Sequence, residues 1–159
     1  MNALDIVDFE DKVKEYIENT FPAYLGELAA VDEYTDDFID LDKHRKAVTV
    51  FYDFASYSFD ELSNMSRDET CELHVFFALR GAKEADLRDN ARKYASAFYN
   101  FFYDDGDSDS GVTVEEYCNR NFAGLVDTGI VQTVAFYDAA EGNTNIKIAE
   151  LTLSLKMED

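Results

Sequence analysis

Two segments of the chain carry apolar residues at the spacing of an amphipathic helix. The first starts near Asn2 or Asp5, which are candidate N-caps, and ends two or three residues before Pro22. The second runs from Glu84 to about Phe102 and opens with acidic residues. The apolar faces consist of Ile6, Phe9, Val13, Tyr16 and Ile17 in the first helix and of Leu87, Ala91, Tyr94, Phe98 and Phe101 in the second.

Alternation of apolar and polar residues predicts strands in the rest of the chain. The clearest strand is 70–80, in which every second residue from Cys71 to Leu79 is apolar. Segments 46–54 and 125–137 are rich in β-branched and aromatic residues, which favour strands.

A hairpin is predicted at Gly142 and Asn143, and it leads into a closing strand at 146–157. The apolar positions of this strand change parity between Ile148 and Leu151. We therefore expect a β-bulge near Ala149.

The order of these elements predicts an α+β fold in one domain, residues 1–159. Hairpin connections favour a mostly antiparallel sheet, and the two main helices then pack on one face of it. This arrangement leaves a second sheet face, and not all of its aromatic residues can point inward. A second apolar face predicts an interface between subunits. The candidate interface residues are Phe51, Phe76, Phe136 and Tyr137.

Four segments remain ambiguous in the sequence. Residues 24–31 favour a short helix, which Gly26 weakens. The acidic segment 32–42 is compatible with an edge strand or an irregular crossing. Residues 56–67 are polar and predict a loop, and residues 112–121 have room for one or two helical turns.

The charge balance excludes whole classes of function. Fourteen Lys and Arg residues against 34 Asp and Glu give a net charge of −20. A conventional nucleic-acid-binding protein needs a cationic surface, and so does electrostatic docking on anionic lipid. The acidity is compatible with a DNA mimic that occupies the basic groove of another protein. It is also compatible with the wall of a channel through which DNA slides. On charge alone, a generic acidic surface is the favoured explanation.

An acidic loop has the spacing of a calcium-binding loop. Asp105, Asp107, Asp109 and Glu116 fall at positions one, three, five and twelve of the EF-hand pattern, which supplies the oxygen ligands that Ca²⁺ prefers. Ser110 replaces the glycine that makes the sharp turn, and no long amphipathic helix follows. A solvated loop between two elements explains the same residues.

No set of residues predicts catalysis. His44 lies in a charged turn, and His74 lies in the middle of a predicted strand. Cys71 is three residues from His74, so the two side chains point to opposite faces of the strand. Nucleophilic catalysis needs an activated Ser or Cys beside a base, and phosphate binding needs a glycine-rich loop. We therefore expect a protein that is not an enzyme and has no cofactor, apart from the calcium candidate.

The pattern of elements resembles the tail-terminator and tail-completion proteins of long-tailed bacteriophages and prophages. The resemblance covers residues 5–20 and 45–157, and the acidic segment 22–42 and the loop 103–121 depart from it. It is carried by the N-terminal amphipathic helix and by the segments TCELHVFFAL (70–79), 84–102, GIVQTVAFY (129–137) and IKIAELTLSL (146–155).

Membership of this family implies a structural protein of the virion, present in the host cytoplasm during assembly. In the family, six protomers form a ring that caps the tail tube and joins it to the head. The implied partners are further copies of the chain, tail-tube proteins and head-completion proteins, with no membrane and no sequence-specific nucleic-acid binding. An acidic DNA-mimic inhibitor of a basic nucleic-acid-binding protein is the alternative.

Overall fold

A computed structural model describes residues 5–36, 46–61, 67–104, 118–140 and 143–158. The elements are α1 (Ile6–Thr20), β1 (Glu33–Thr35), β2 (Val48–Glu61), β3 (Arg67–Arg80), α2 (Glu84–Phe102), β4 (Thr128–Ala140) and β5 (Asn143–Glu158). Short 3₁₀ turns lie at Phe21–Tyr24 and Asn119–Asn121.

The strands form one five-stranded sheet in the order β1-β2-β3-β5-β4. β1 pairs with β2 in parallel, and the other three pairings are antiparallel. The predicted α+β class with a mostly antiparallel sheet is confirmed. The acidic segment that the sequence left undecided contributes the edge strand β1.

The first helix begins and ends where the sequence predicts. The Asp5 carboxylate accepts a hydrogen bond from the backbone N–H of Asp8, which caps the N-terminus. The helix ends at Thr20, two residues before Pro22. Phe21 keeps a helical backbone, and Pro22, which has no N–H to donate, lies at the start of the 3₁₀ turn that follows. A 3₁₀ turn follows in place of the predicted helix at 24–31, and Gly26 then takes a positive φ of 59°.

Both helices pack on the same face of the sheet, hereafter the helix face. Phe9 of α1 makes an edge-on contact with Tyr57 of β2, and Tyr94 of α2 stacks on Phe77 of β3. Phe21, directly after α1, links the two helices and the sheet, since its ring centroid lies 5.4 Å from that of Phe98 on α2 and 5.6 Å from that of Phe77 on β3. The buried core is therefore one layer between helices and sheet, and the opposite side of the sheet, the far face, carries no helix among the described residues.

The predicted loop at 56–67 is wrong for the residues that the structure describes. β2 continues to Glu61 and β3 starts at Arg67. A register shift between Phe54 and Ser56 interrupts the alternation, so the sequence pattern loses its period where the strand does not end. After the shift, Tyr57 returns to the helix face, where its hydroxyl donates to Glu10.

The predicted bulge near Ala149 is also wrong. β5 pairs with β3 without interruption from Glu158 to Ile146. The change of parity means that Ile146 and Ile148 lie on the far face, whereas Lys147 lies on the helix face opposite Leu79. Lys147 Nζ donates there to Glu84 at 3.0 Å and to Asp138. These two carboxylates allow a lysine at a helix-face position where the alternation of β5 predicts an apolar residue.

Register shifts occur instead in β4, between Val131 and Thr133 and between Asp138 and Ala140. Of the predicted turns at 112–121, the described residues contain the 3₁₀ turn Asn119–Asn121. None of the described helices is long and apolar enough to cross a lipid bilayer.

Candidate self-association surface

Three of the four candidate interface residues share the far face. Phe51 and Phe76 are direct cross-strand partners on β2 and β3, and each is half-buried. Tyr137 lies on the same face two strands away and is 41% exposed. At one end of this face Thr49, Ala78, Ile146 and Ile148 are buried, whereas His74 and its neighbours Glu72 and Phe76 are partly buried.

Phe136 lies on the other side of the sheet. It pairs with Ala149 on the helix face, where the guanidinium of Arg92 lies 4.5 Å from its ring centroid. A cation over an aromatic face is attracted by the ring quadrupole. Phe136 is still 38% exposed. The four predicted residues therefore do not form one patch on one face.

His74 is the centre of a polar cluster on the far face. Its Nε2 lies 3.1 Å from a Glu72 carboxylate oxygen, and its Nδ1 lies 3.1 Å from a carboxylate oxygen of Glu150. The Tyr137 hydroxyl donates to Glu150 at 2.7 Å, and the Phe76 ring stacks on the imidazole. Cys71, as predicted from the alternation, points to the opposite face, where it is buried and free of disulfide.

The two carboxylates determine the charge state of His74. Partial burial lowers the pKa of the imidazole, but the hydrogen bonds to Glu72 and Glu150 outweigh it, and the pKa lies above its ordinary value. Asp53 is the cross-strand neighbour of His74 on β2 and adds a third acidic group nearby. A protonated His74 donates through both ring nitrogens and cross-links β3 to β5.

This geometry predicts how stability depends on pH. A histidine whose pKa is raised in the folded state contributes its full stabilisation below the pKa of the unfolded chain, and the contribution is lost as pH rises through the folded value. We therefore expect urea midpoints of the wild-type protein to fall as pH rises above about 6.5, the ordinary pKa of histidine, because His74 loses its proton above that value. His74→Gln should flatten this dependence.

His44→Gln is the matched control, since it removes the other histidine of the chain. It should leave the pH dependence of the wild type in place. If the urea midpoints of the wild type and of His74→Gln changed equally with pH, His74 and its two carboxylate partners would not be the cause of the pH dependence.

β4 is an edge strand with exposed apolar residues on both of its faces. Of the exposed large apolar residues in the described part of the chain, four lie on this strand: Ile130, Val134, Phe136 and Tyr137. From Thr128 to Tyr137 the strand has no charged residue, and Asp138 is paired with Lys147. Its outer edge has no partner strand among the described residues. At the start of the strand, however, Arg120 donates to the carbonyl of Gly129 and the N–H of Val131 donates to the Tyr103 hydroxyl, so the open part of the edge begins after Val131.

Such an edge is a template for another strand. Unpaired backbone N–H and C=O groups accept an incoming strand, and exposed apolar side chains add burial on each face. Natural edge strands are usually blocked by Lys or Pro, and β4 contains neither. The part of the β4 edge beyond Val131, with the exposed side chains of Val134, Phe136 and Tyr137, is therefore a surface suited to contacts with another protein.

The sequence did not identify Ile130 and Val134 as surface residues. A strand that is apolar at both parities is typical of a buried central strand. The absence of charge over ten successive positions was the available signal, since it is unusual in so acidic a chain.

The calcium candidates Asp105, Asp107, Asp109 and Glu116 lie outside the described residues, as does His44. Within the described ranges, no group of three His, Cys, Asp or Glu side chains is placed to hold a metal ion.

The chain matches no family profile and has no significant sequence similarity to a curated protein.

Proposed function

We propose that the chain is a structural protein of a bacteriophage or prophage virion, which assembles as a ring at the head–tail junction and caps the tail tube. The observation that carries the proposal is β4, which beyond Val131 is an apolar edge without a partner among the described residues, in a protein with a net charge of −20. Monomeric proteins block such an edge, whereas subunits of an assembly use it. Under this proposal the protein is structural and not an enzyme.

The distribution of charge fits the same role. Two copies that each carry −20 repel one another over most of their surfaces, so contact is favourable where carboxylates are absent. β4 is such a place. The acidic remainder of the surface, turned to the lumen of a ring, repels the phosphates of passing DNA and prevents binding.

The proposed partners are further copies of the chain, tail-tube proteins and head-completion proteins. The protein would act in the virion after assembly in the host cytoplasm. A ring of six protomers, as in the family it resembles, has six times the chain mass of 18.1 kDa.

Val134→Lys tests the proposal at the edge. Val134 is 40% exposed, so lysine is accommodated in the monomer, but its charge opposes strand addition. In sedimentation velocity we expect the wild type to form a particle several times heavier than 18.1 kDa and the variant to sediment as a monomer.

Phe59→Lys is the matched control. It removes an exposed aromatic residue from β2, 51% exposed, and leaves β4 unchanged, so assembly should persist. A wild-type protein that stays monomeric at every concentration, with and without tail-tube subunits, would contradict the ring.

The outer face of α1 supports the alternative function, a DNA-mimic inhibitor. Asp11, Glu15 and Glu18 are exposed along a rigid helix, as in a surface that imitates a row of phosphates. This function requires tight binding to a basic nucleic-acid-binding protein that weakens as salt rises. Affinity capture that returns tail-tube subunits and no basic nucleic-acid-binding protein would count against it.

A further inference from the structure

A small depression of about 140 Å³ lies between α2 and the open part of β4. Arg88 and Arg92 line it from α2, one helical turn apart, and Phe136 and Tyr137 line it from β4. Both arginines are exposed. The open edge of β4 is therefore flanked by two guanidinium groups, in a chain whose net charge is −20.

The charges around this depression leave a positive excess at the two arginines. Lys147, which also lines it, lies within 4 Å of the carboxylates of both Asp138 and Glu84. Arg88 and Arg92 have no carboxylate within that distance in the described ranges. Three cations against two carboxylates leave a charge of +1, and Lys147 already holds both carboxylates.

A strand that adds to β4 must pass close to Arg92. Neighbouring strands lie about 4.8 Å apart, and Cβ atoms of directly opposite residues lie about 5 Å apart. The guanidinium carbon of Arg92 lies 4.5 Å from the ring centroid of Phe136, on the helix face. An Asp or Glu opposite Phe136 on the incoming strand therefore reaches the guanidinium of Arg92.

A second β4 strand does not complement this edge. Two β4 strands paired about a two-fold axis place the arginines of both copies on the same side of the joined sheet. No charged residue lies between Thr128 and Tyr137, so neither strand supplies a carboxylate to the other's Arg92. The like charges repel, and a two-fold contact closes a dimer where a ring requires two different surfaces.

We propose that the open edge of β4 binds an acidic segment of the next copy, with an Asp or Glu opposite Phe136 and an apolar residue opposite Val134. The inference rests on the proposed ring and names the chemistry that its contact recognises. The chain has 34 acidic residues, of which β4 contains Asp138 alone, so carboxylates are abundant on the rest of a second copy. Lysine at position 134 still opposes assembly, because the residue opposite it is apolar.

Removal of the Arg92 charge tests the contact. In sedimentation equilibrium of the full chain, Arg92→Gln should lower the association constant roughly fivefold, the upper range for one partly exposed ion pair. Its deficit relative to the wild type should shrink as NaCl is raised, because salt screens the pair. Arg92→Lys keeps the charge and should stay within about twofold of the wild type.

Lys93→Gln is the matched control. Lys93 is the next residue of α2, is exposed and does not line the depression, so its removal changes the net charge equally and should leave association unchanged. Equal effects of Arg92→Gln and Lys93→Gln would overturn the proposal. So would an Arg92→Lys variant as weak as Arg92→Gln, since packing and not charge would then be responsible.

The direction of the effect separates the two modes of pairing. If β4 strands pair with each other, Arg92→Gln relieves repulsion and strengthens association, which contradicts an acidic partner segment. If Val134→Lys dissociates the particle and Arg92→Gln does not weaken it, the ring stands and the acidic segment is wrong. A wild type that stays monomeric with and without tail-tube subunits would overturn both.

Discussion

Phe98→Ala is expected to lower the free energy of unfolding by about 4 kcal/mol, the cost typical of truncating a fully buried phenylalanine. Phe98 is completely buried, and its ring centroid lies 5.4 Å from Phe21, 6.0 Å from Phe77 and 5.3 Å from Phe101. These neighbours belong to the 3₁₀ turn after α1, to β3 and to α2. One truncation therefore removes contacts that hold both helices to the sheet.

The measurement is a urea titration in which the midpoint falls and the slope stays constant. Tyr99→Ala is the control, because Tyr99 is adjacent in the sequence but 47% exposed, and it should cost less than about 1.5 kcal/mol. A loss below about 1 kcal/mol for Phe98→Ala would show that the contacts of Phe98 with Phe21, Phe77 and Phe101 contribute little to the stability of the core.

The helices and the central strand were predictable because one face of each is buried. Phe9, Val13 and Ile17 recur at helical spacing and are all buried, and every second residue of β3 from Cys71 to Leu79 is apolar and buried. Ile6, predicted on the same face of α1, is 42% exposed because it is the first residue of the helix. Burial imposes periodicity on a sequence, so elements with one buried face are readable from it.

Strand ends and bulges were not predictable, because the residues there are not buried on one face alone and so show no regular pattern. β2 continues beyond the register shift at Phe54, where its residues become exposed and no burial imposes a pattern. In β5, Ile146 and Ile148 are buried on the far face while Lys147 is satisfied by two carboxylates on the helix face. An ion pair that spans separate elements has no signature in local sequence.

The candidate surface was predicted only in part. Phe51, Phe76 and Tyr137 do share the far face, but Phe136 does not, since adjacent residues of a strand point to opposite sides. The position of Arg92 beside β4 was not foreseen, because it depends on the packing of α2 against a strand distant in the sequence. Binding of another copy at the β4 edge stays a prediction, which Val134→Lys tests.

Raising the NaCl concentration from about 0.1 M to about 1 M is expected to raise Tm by about 10 °C. The Debye length falls from about 10 Å to about 3 Å over this range, which screens repulsion between exposed carboxylates. The net charge of −20 makes that repulsion a general cost of folding. At about 0.2 kcal/mol for each excess carboxylate, screening returns about 4 kcal/mol, and each kcal/mol shifts Tm by about 2–4 °C at this chain length.

Screening also weakens the ion pairs, and the magnitudes decide which effect dominates. Exposed pairs such as Lys12 with Asp8 contribute between about 0 and 1 kcal/mol each, and they are few beside the carboxylates that have no cation. The net effect of salt is therefore stabilising. Thermal unfolding followed by circular dichroism measures Tm at each NaCl concentration. The double variant Asp11→Asn/Glu15→Gln should show a smaller rise of Tm with NaCl, because it lacks two of the repelling charges. A Tm that stays constant or falls as NaCl increases would show that self-repulsion does not limit the stability of this fold.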